Sequence, residues 1–172
     1  SYVGATSNDL IASAFFAHST SLLIRAGEAL GKDMSAYRCL YQKIVHAFRA
    51  YFMENGMPKA ELPYTEVCVN GHAPIDTTRR GVTQTALTLI LHFGLCTESE
   101  RSALAARLAE MIRAAGTHLE TGFVGTPYLL HALSDNGYAA LAYDLLLQTS
   151  APSWLYSVRH GATTMWEHWD SI

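Results

Sequence analysis

The feature that most limits what this chain can become is a repeated punctuation. Six times, apolar residues recur at three- and four-residue spacing between a polar start signal or turn and a glycine or proline stop. Residues 8–30 follow the polar Thr6-Ser7-Asn8-Asp9, carry Leu10, Ala14, Phe15, Leu22, Leu23 and Ala26 on helical spacing, and stop at Gly31. Residues 34–54 follow Asp33 and place Tyr37, Leu40, Tyr41, Ile44, Val45, Phe48 and Phe52 on one stripe, with Arg38, Lys43 and Arg49 off it. The aromatic members of that stripe, Tyr37, Tyr41, Phe48 and Phe52, are expected in the core. Residues 83–93 are apolar nearly all round, which suits a helix enclosed on several sides. Residues 98–115 contrast with them: Thr97 and Glu100 form a T-x-x-E capping box, Leu104, Leu108, Met111 and Ile112 make one stripe, and Arg101, Arg107 and Arg113 face out. Thr126-Pro127 opens a helix to about Asp135, Asn136-Gly137 is a turn, and residues 138–148 form another apolar helix before Pro152.

Short connections make consecutive helices antiparallel neighbours. The chain is therefore expected to be all-α, an array of three αα-hairpins with an inner and an outer layer and no strand. Residues 55–82, with Pro58, Pro63 and Pro74, read as a long loop, uncommon in a compact domain unless functional. Three hairpins give an arc, and closing it requires more hairpins or a second copy.

Composition removes several functions. Charged side chains are 16% of the 172 residues, against roughly 25% in ordinary soluble domains, which implies an apolar surface or a missing partner. No run approaches the ~18 consecutive apolar residues of a membrane span, so no membrane insertion is expected. Twelve basic and fifteen acidic residues give a net charge of −3, and no basic cluster exceeds Arg79-Arg80, so no nucleic-acid partner is expected either. Cys39, Cys68 and Cys96 are widely spaced with no C-x-x-C, and read as buried small hydrophobes rather than a disulfide or zinc set. None of the eight histidines forms H-E-x-x-H; neither a metal nor a cofactor is implied. Ser1-Tyr2-Val3-Gly4 carries no signal-peptide pattern and reads as a cut inside a longer chain, with the compartment left open.

Chemistry concentrates near residues 152–170. Trp154, Trp166 and Trp169, all the tryptophans of the chain, fall there, with Glu167 between two of them. Indoles stack on the apolar faces of sugar rings, so this stretch suits a glycan pocket. The competing reading is structural: Thr164-Met165-Trp166-Glu167 is itself a T-x-x-E box that would open a last, truncated helix. Gly122-Phe123-Val124-Gly125 precedes a helix start, where amides and Phe123 either face the pocket or form a tight turn with positive φ. Gln84 is either a sugar-hydroxyl partner or an ordinary polar helix start. His160 and His168 are expected behind the site or exposed, and Asp170 either shapes the surroundings of Glu167 or faces water.

Several blocks together resemble one family. They are Thr-Ser-Asn-Asp-Leu-Ile-Ala-Ser-Ala-Phe-Phe-Ala-His-Ser at 6–19, Gln84-Thr85, Thr-Gly-Phe-Val-Gly-Thr-Pro-Tyr-Leu-Leu at 121–130, Pro-Ser-Trp-Leu-Tyr at 152–156, and Gly-Ala-Thr-Thr-Met-Trp-Glu-His-Trp-Asp at 161–170. The chain resembles the catalytic domain of the α-L-rhamnosidases of glycoside hydrolase family 78, a six-hairpin or (α/α)6-barrel fold. The resemblance implies a bacterial enzyme that removes terminal α-L-rhamnose with inversion. It implies Glu167 as general base and a rhamnose-containing carbohydrate as partner; the residue chemistry above leaves Trp154, Trp166, Trp169, Phe123 and Gln84 as the candidate substrate-binding residues.

The family's general acid lies in an aspartate-rich D-x-x-x-x-x-E-R segment followed by Trp-Gly. The chain lacks that segment, since its Glu100-Arg101 lies in a helix cap. The resemblance also implies a further helical segment past the W-E-x-W block. Residues 1–172 are therefore expected to form a single domain, a partial (α/α)6 barrel that is a fragment of a larger (α/α)6-barrel catalytic domain and inactive alone. It is also expected to self-associate through inner-face helices 83–93 and 138–148, which have almost no polar side to turn outward. Two alternatives remain: a helical-hairpin scaffold that binds proteins without catalysis, and another (α/α)6 hydrolase or lyase acting on uronic acid sugars.

Overall fold

Capping chemistry sets the helix starts. Ser7 accepts from the Leu10 amide at 3.4 Å to open α1 (Asn8–Ala29), and Thr83 accepts from the Ala86 amide at 3.0 Å to open α3 (Gln84–His92), which follows α2 (Ser35–Phe52). The Thr97–Glu100 box opens α4 (Glu98–Ala114), with the Thr97 amide donating to Glu100 Oε2 at 2.8 Å. Pro127 stands in the first turn of α5 (Thr126–Ser134), and α6 (Ala139–Leu146) returns alongside it. The computed structural model describes residues 5–62, 79–166, 168 and 169.

The six helices pair as expected, α1 with α2, α3 with α4 and α5 with α6, while α3 also packs on both α1 and α5. One layer is thus α1–α3–α5, with the return helices outside it. Surrounded on three sides, α3 buries every residue from Gln84 to Leu91. Leu87, Leu89, Ile90 and Leu91 belong to the same core as Leu104, Leu108 and Ile112 of α4 and Leu129 and Leu133 of α5. The expectation that residues 83–93 expose an apolar face is therefore corrected: α1, α4 and α5 already cover it. Helix α6 does keep Tyr143 exposed, with Leu147 just beyond its end.

Helix lengths explain a second correction. At about 1.5 Å per residue, α1 runs about 33 Å and α3 only about 14 Å, so the tip of the α1–α2 hairpin projects past its support. Only the latter half of α2 is buried, through Ile44, Phe48 and Phe52. Tyr37 is 43% exposed rather than in the core, and Tyr41 packs against the core at its edge. Cys39, on the same unsupported half, is exposed rather than buried; Cys96 is partly buried, and burial pushes its thiol pKa up. Cys68 lies outside the described residues. By length and composition α1 would also suffice to cross a membrane, although a third of its apolar window is buried against the rest of the domain. Core helices pass the same test.

The segment read as a long loop contains short strands. β1 (Met53–Glu54) pairs antiparallel with β2 (Met57–Pro58), and β3 (Glu61–Leu62) with β4 (Arg79–Arg80). The first pair closes through Asn55 and Gly56, both at positive φ (50° and 78°), a hairpin turn that Asn-Gly favours because neither residue pays the usual steric penalty. Arg49 crosses from α2 to the start of α4, donating to Glu100 Oε2 at 2.7 Å, to Glu100 Oε1 at 2.8 Å and to the Leu95 carbonyl at 3.2 Å. These bonds from Arg49, reinforced by Thr97, hold the Glu100 carboxyl down at about 2.

Candidate functional site

One end of α5 is built to carry aromatic rings. Ser153 is fully buried and accepts from the Tyr156 amide at 3.1 Å, which starts a short helix unmarked in the sequence reading, α7 (Trp154–Arg159). That start fixes Trp154. Trp169 meets it edge to face at 5.6 Å between centroids and sends its indole N–H to the Thr121 carbonyl at 3.4 Å. Trp166 stands edge-on to Tyr156 at 6.5 Å. Residues 165, 166, 168 and 169 are not helical, so the described surroundings of the Thr164–Glu167 box do not continue as the expected last helix. Glu167 and Asp170 themselves lie outside the described residues.

Across from these rings, residues 122–125 make a turn. The amides of Gly125 and Thr126 both donate to the Gly122 carbonyl at 3.0 Å, and the Thr126 hydroxyl donates to it at 2.9 Å. These two amides are consumed by the turn. Positive φ is not what the glycines supply: Gly125 sits at φ −107°, and a Cβ there would come within 3.1 Å of Thr85 and 3.2 Å of Thr121. Close approach of the turn to α3 is what requires the small residue. Phe123, 68% exposed, borders the same cavity as the rings.

Together Trp154, Trp166, Trp169 and Phe123 line one open cavity of about 770 Å³, within the range of small-molecule sites. Four of the five predicted substrate-binding residues thus converge. Gln84 does not join them. It is buried, accepts from the Glu120 amide at 2.8 Å, and donates to the His118 carbonyl at 3.2 Å and to Glu120 Oε2 at 3.4 Å. Its amide secures the segment leading into the cavity wall. His168 lines the cavity, whereas His160 is exposed and turned back to its own helix, Nδ1 lying 2.8 Å from the Tyr156 carbonyl.

Two polar lining groups went unmarked in the sequence reading, Glu120 and His131. Glu120 stands immediately before the Thr-Gly-Phe block, and that adjacency was the available signal. His131 backs onto His92 at 5.7 Å, where burial first and His131 second lower the His92 pKa, against Asp135. Among the described residues no group of three or more histidines, cysteines and carboxylates could hold a metal.

The layered hairpin array has counterparts among known proteins. Residues 2–172 match the model of the bacterial alpha-L-rhamnosidase six-hairpin glycosidase domain. The chain belongs to that family. An alpha-L-rhamnosidase of Streptomyces avermitilis is 42% identical over 168 residues, covering 97% of this chain and 14% of that protein. One from Formosa agariphila is 39% identical over 170 residues, covering 98% and 16%. The crystal structure of the Streptomyces avermitilis alpha-L-rhamnosidase complexed with L-rhamnose superposes with a TM-score of 0.78 at 38% identity, covering 98% of this chain and 15% of that one. Native α-L-rhamnosidase from Aspergillus terreus gives 0.81 at 32%, covering 98% and 18%. The chain thus spans about a sixth of the length of these six-hairpin relatives.

Proposed function

We propose that this domain supplies the aromatic wall and the general base of an inverting α-L-rhamnosidase that releases terminal α-L-rhamnose from glycans or glycosides. The observation that carries this reading is the convergence of Trp154, Trp166, Trp169 and Phe123 on one cavity, two of these rings flanking position 167 in the sequence. The apolar faces of a deoxy sugar stack on indole and phenyl rings, while the hydroxyl edges reach the polar rim. Glu167 deprotonates the water that attacks the anomeric carbon. A protonated carboxylic acid roughly 6.5–9.5 Å away assists the leaving oxygen. No residue of this chain matches the family's acid, so residues 1–172 alone turn over no rhamnoside. Family membership favours this reading over a non-catalytic hairpin scaffold. The absence of any Lys or Arg among the described lining residues disfavours a uronate site.

Rhamnoside hydrolysis by the enzyme carrying this domain tests the reading. Glu167→Gln is expected to cost about 10²–10⁴-fold in kcat, the usual loss with general base catalysis. A loss of less than about tenfold refutes the base assignment.

A further inference from the structure

The one described carboxylate in the cavity lining, Glu120, has no part in the proposed chemistry, and its mounting is more rigid than an exposed glutamate needs. Gln84, anchored in the fully buried first turn of α3, grips the residue at two points, its amide at 2.8 Å and its Oε2 at 3.4 Å. One residue further on, the Thr121 carbonyl receives the Trp169 indole N–H. The segment is thereby tied to the buried helix on one side and to a ring of the aromatic wall on the other. Oε1 of Glu120 has no partner among the described residues, and it belongs to a side chain that borders the cavity. The lining offers no described Lys or Arg to neutralise it.

We propose that Glu120 is a specificity-determining residue that accepts hydrogen bonds from the hydroxyls of a neutral sugar held on the adjacent indole. A carboxylate is acceptor-only, so it matches a vicinal hydroxyl pair, and one already oriented loses little side-chain entropy on binding. The same charge turns away sugars that carry a carboxylate of their own. Glu120 thus both receives the neutral ring and excludes the acidic one. Naming rhamnose as that neutral sugar rests on the proposed function; the requirement for a neutral polyol does not.

Because every tryptophan of the chain lines this cavity, intrinsic fluorescence reports its occupancy. The protein and its Glu120→Gln variant are titrated with L-rhamnose, D-glucose and D-glucuronate. The wild type is expected to bind L-rhamnose in preference to glucuronate. The variant is expected to bind L-rhamnose about ten- to a hundredfold more weakly, the usual cost of losing hydrogen bonds to a charged group. Its affinity for glucuronate should rise, a gain that a misfolded variant does not produce. Unchanged rhamnose affinity in the variant, beside clear wild-type binding, overturns the role of Glu120 and leaves the rhamnosidase reading intact. Glu120-dependent binding of glucose without rhamnose keeps that role and removes the rhamnosidase reading. No quenching by either neutral sugar overturns both.

Discussion

Helix α3 and the stretch 152–169 are both rich in large apolar side chains, yet they use them in opposite ways. In α3 every residue from Gln84 to Leu91 is buried, with neighbouring helices packed on three sides. In the later stretch α7 buries none of its six residues and Met165 is 72% exposed; the indoles are only half-buried, Trp154 and Trp169 resting on the edge of the core and meeting edge to face, with one indole hydrogen bond at 3.4 Å. Apolar surface enclosed by protein stabilises the fold, whereas the same surface left open at the rim of a rigid scaffold is available to a ligand. The Gln84–Glu120 grip joins the two regions, since it carries the order of the buried helix out to the cavity wall.

The sharpest way to break this contrast is to truncate one side chain in each region. Leu87→Ala should cost about 2–5 kcal/mol, because a fully enclosed leucine leaves a cavity that its neighbours cannot collapse into. Trp166→Ala should cost under about 1 kcal/mol in chemical denaturation, as expected for a site away from the core, and yet abolish sugar-induced fluorescence changes. Equal destabilisation by the two substitutions would make the aromatic stretch part of the core.

The Arg49–Glu100 clamp gives an intermediate effect. Arg49→Met should lose about 1–3 kcal/mol, the range for hydrogen bonds to charged groups. Glu100 titrates at about 2 in the folded chain against 4.5 for the unperturbed group. The folded pKa is depressed, so this stabilisation is complete above about pH 4.5 and is lost as pH falls toward 2. Thermal unfolding followed from pH 6 to pH 2 should therefore show a steeper acid loss in the wild type than in Glu100→Gln.

The smallest effect on stability is expected at the surface. Tyr51→Lys and Tyr143→Lys replace exposed rings and should shift stability by less than about 0.5 kcal/mol. The exposed apolar residues of α1, α2 and α6, including Phe16, Leu22, Tyr51 and Tyr143, are expected to favour self-association of the isolated chain. Light scattering at micromolar concentration should give a dimer that the double lysine variant dissociates. A well-folded 19 kDa wild-type monomer would show that these exposed side chains need no cover.

Much of this was legible in the sequence because helical periodicity and capping are local. The starts of α1, α3 and α4 follow from Ser7, Thr83 and Thr97, and the enclosure of α3 from its lack of a polar face. The exposure of Tyr37 was not legible, since it depends on the length of a neighbouring helix rather than on spacing within α2. The Asn55-Gly56 hairpin was legible but outweighed by the surrounding prolines. At the cavity, tryptophans announced themselves by clustering. Gln84 misled because a polar residue opening an apolar helix looks alike whether it reaches a ligand or a backbone, and only the fold shows that residues 118–120 pass over it.

The central claim, that this aromatic cavity receives the sugar, is tested most directly by a crystal structure of the enzyme carrying this domain with L-rhamnose bound. The pyranose ring is expected in contact with at least two of Trp154, Trp166, Trp169 and Phe123, with the Glu167 carboxylate facing its anomeric carbon. L-rhamnose bound elsewhere, with these rings out of contact and Glu167 turned away, would contradict it.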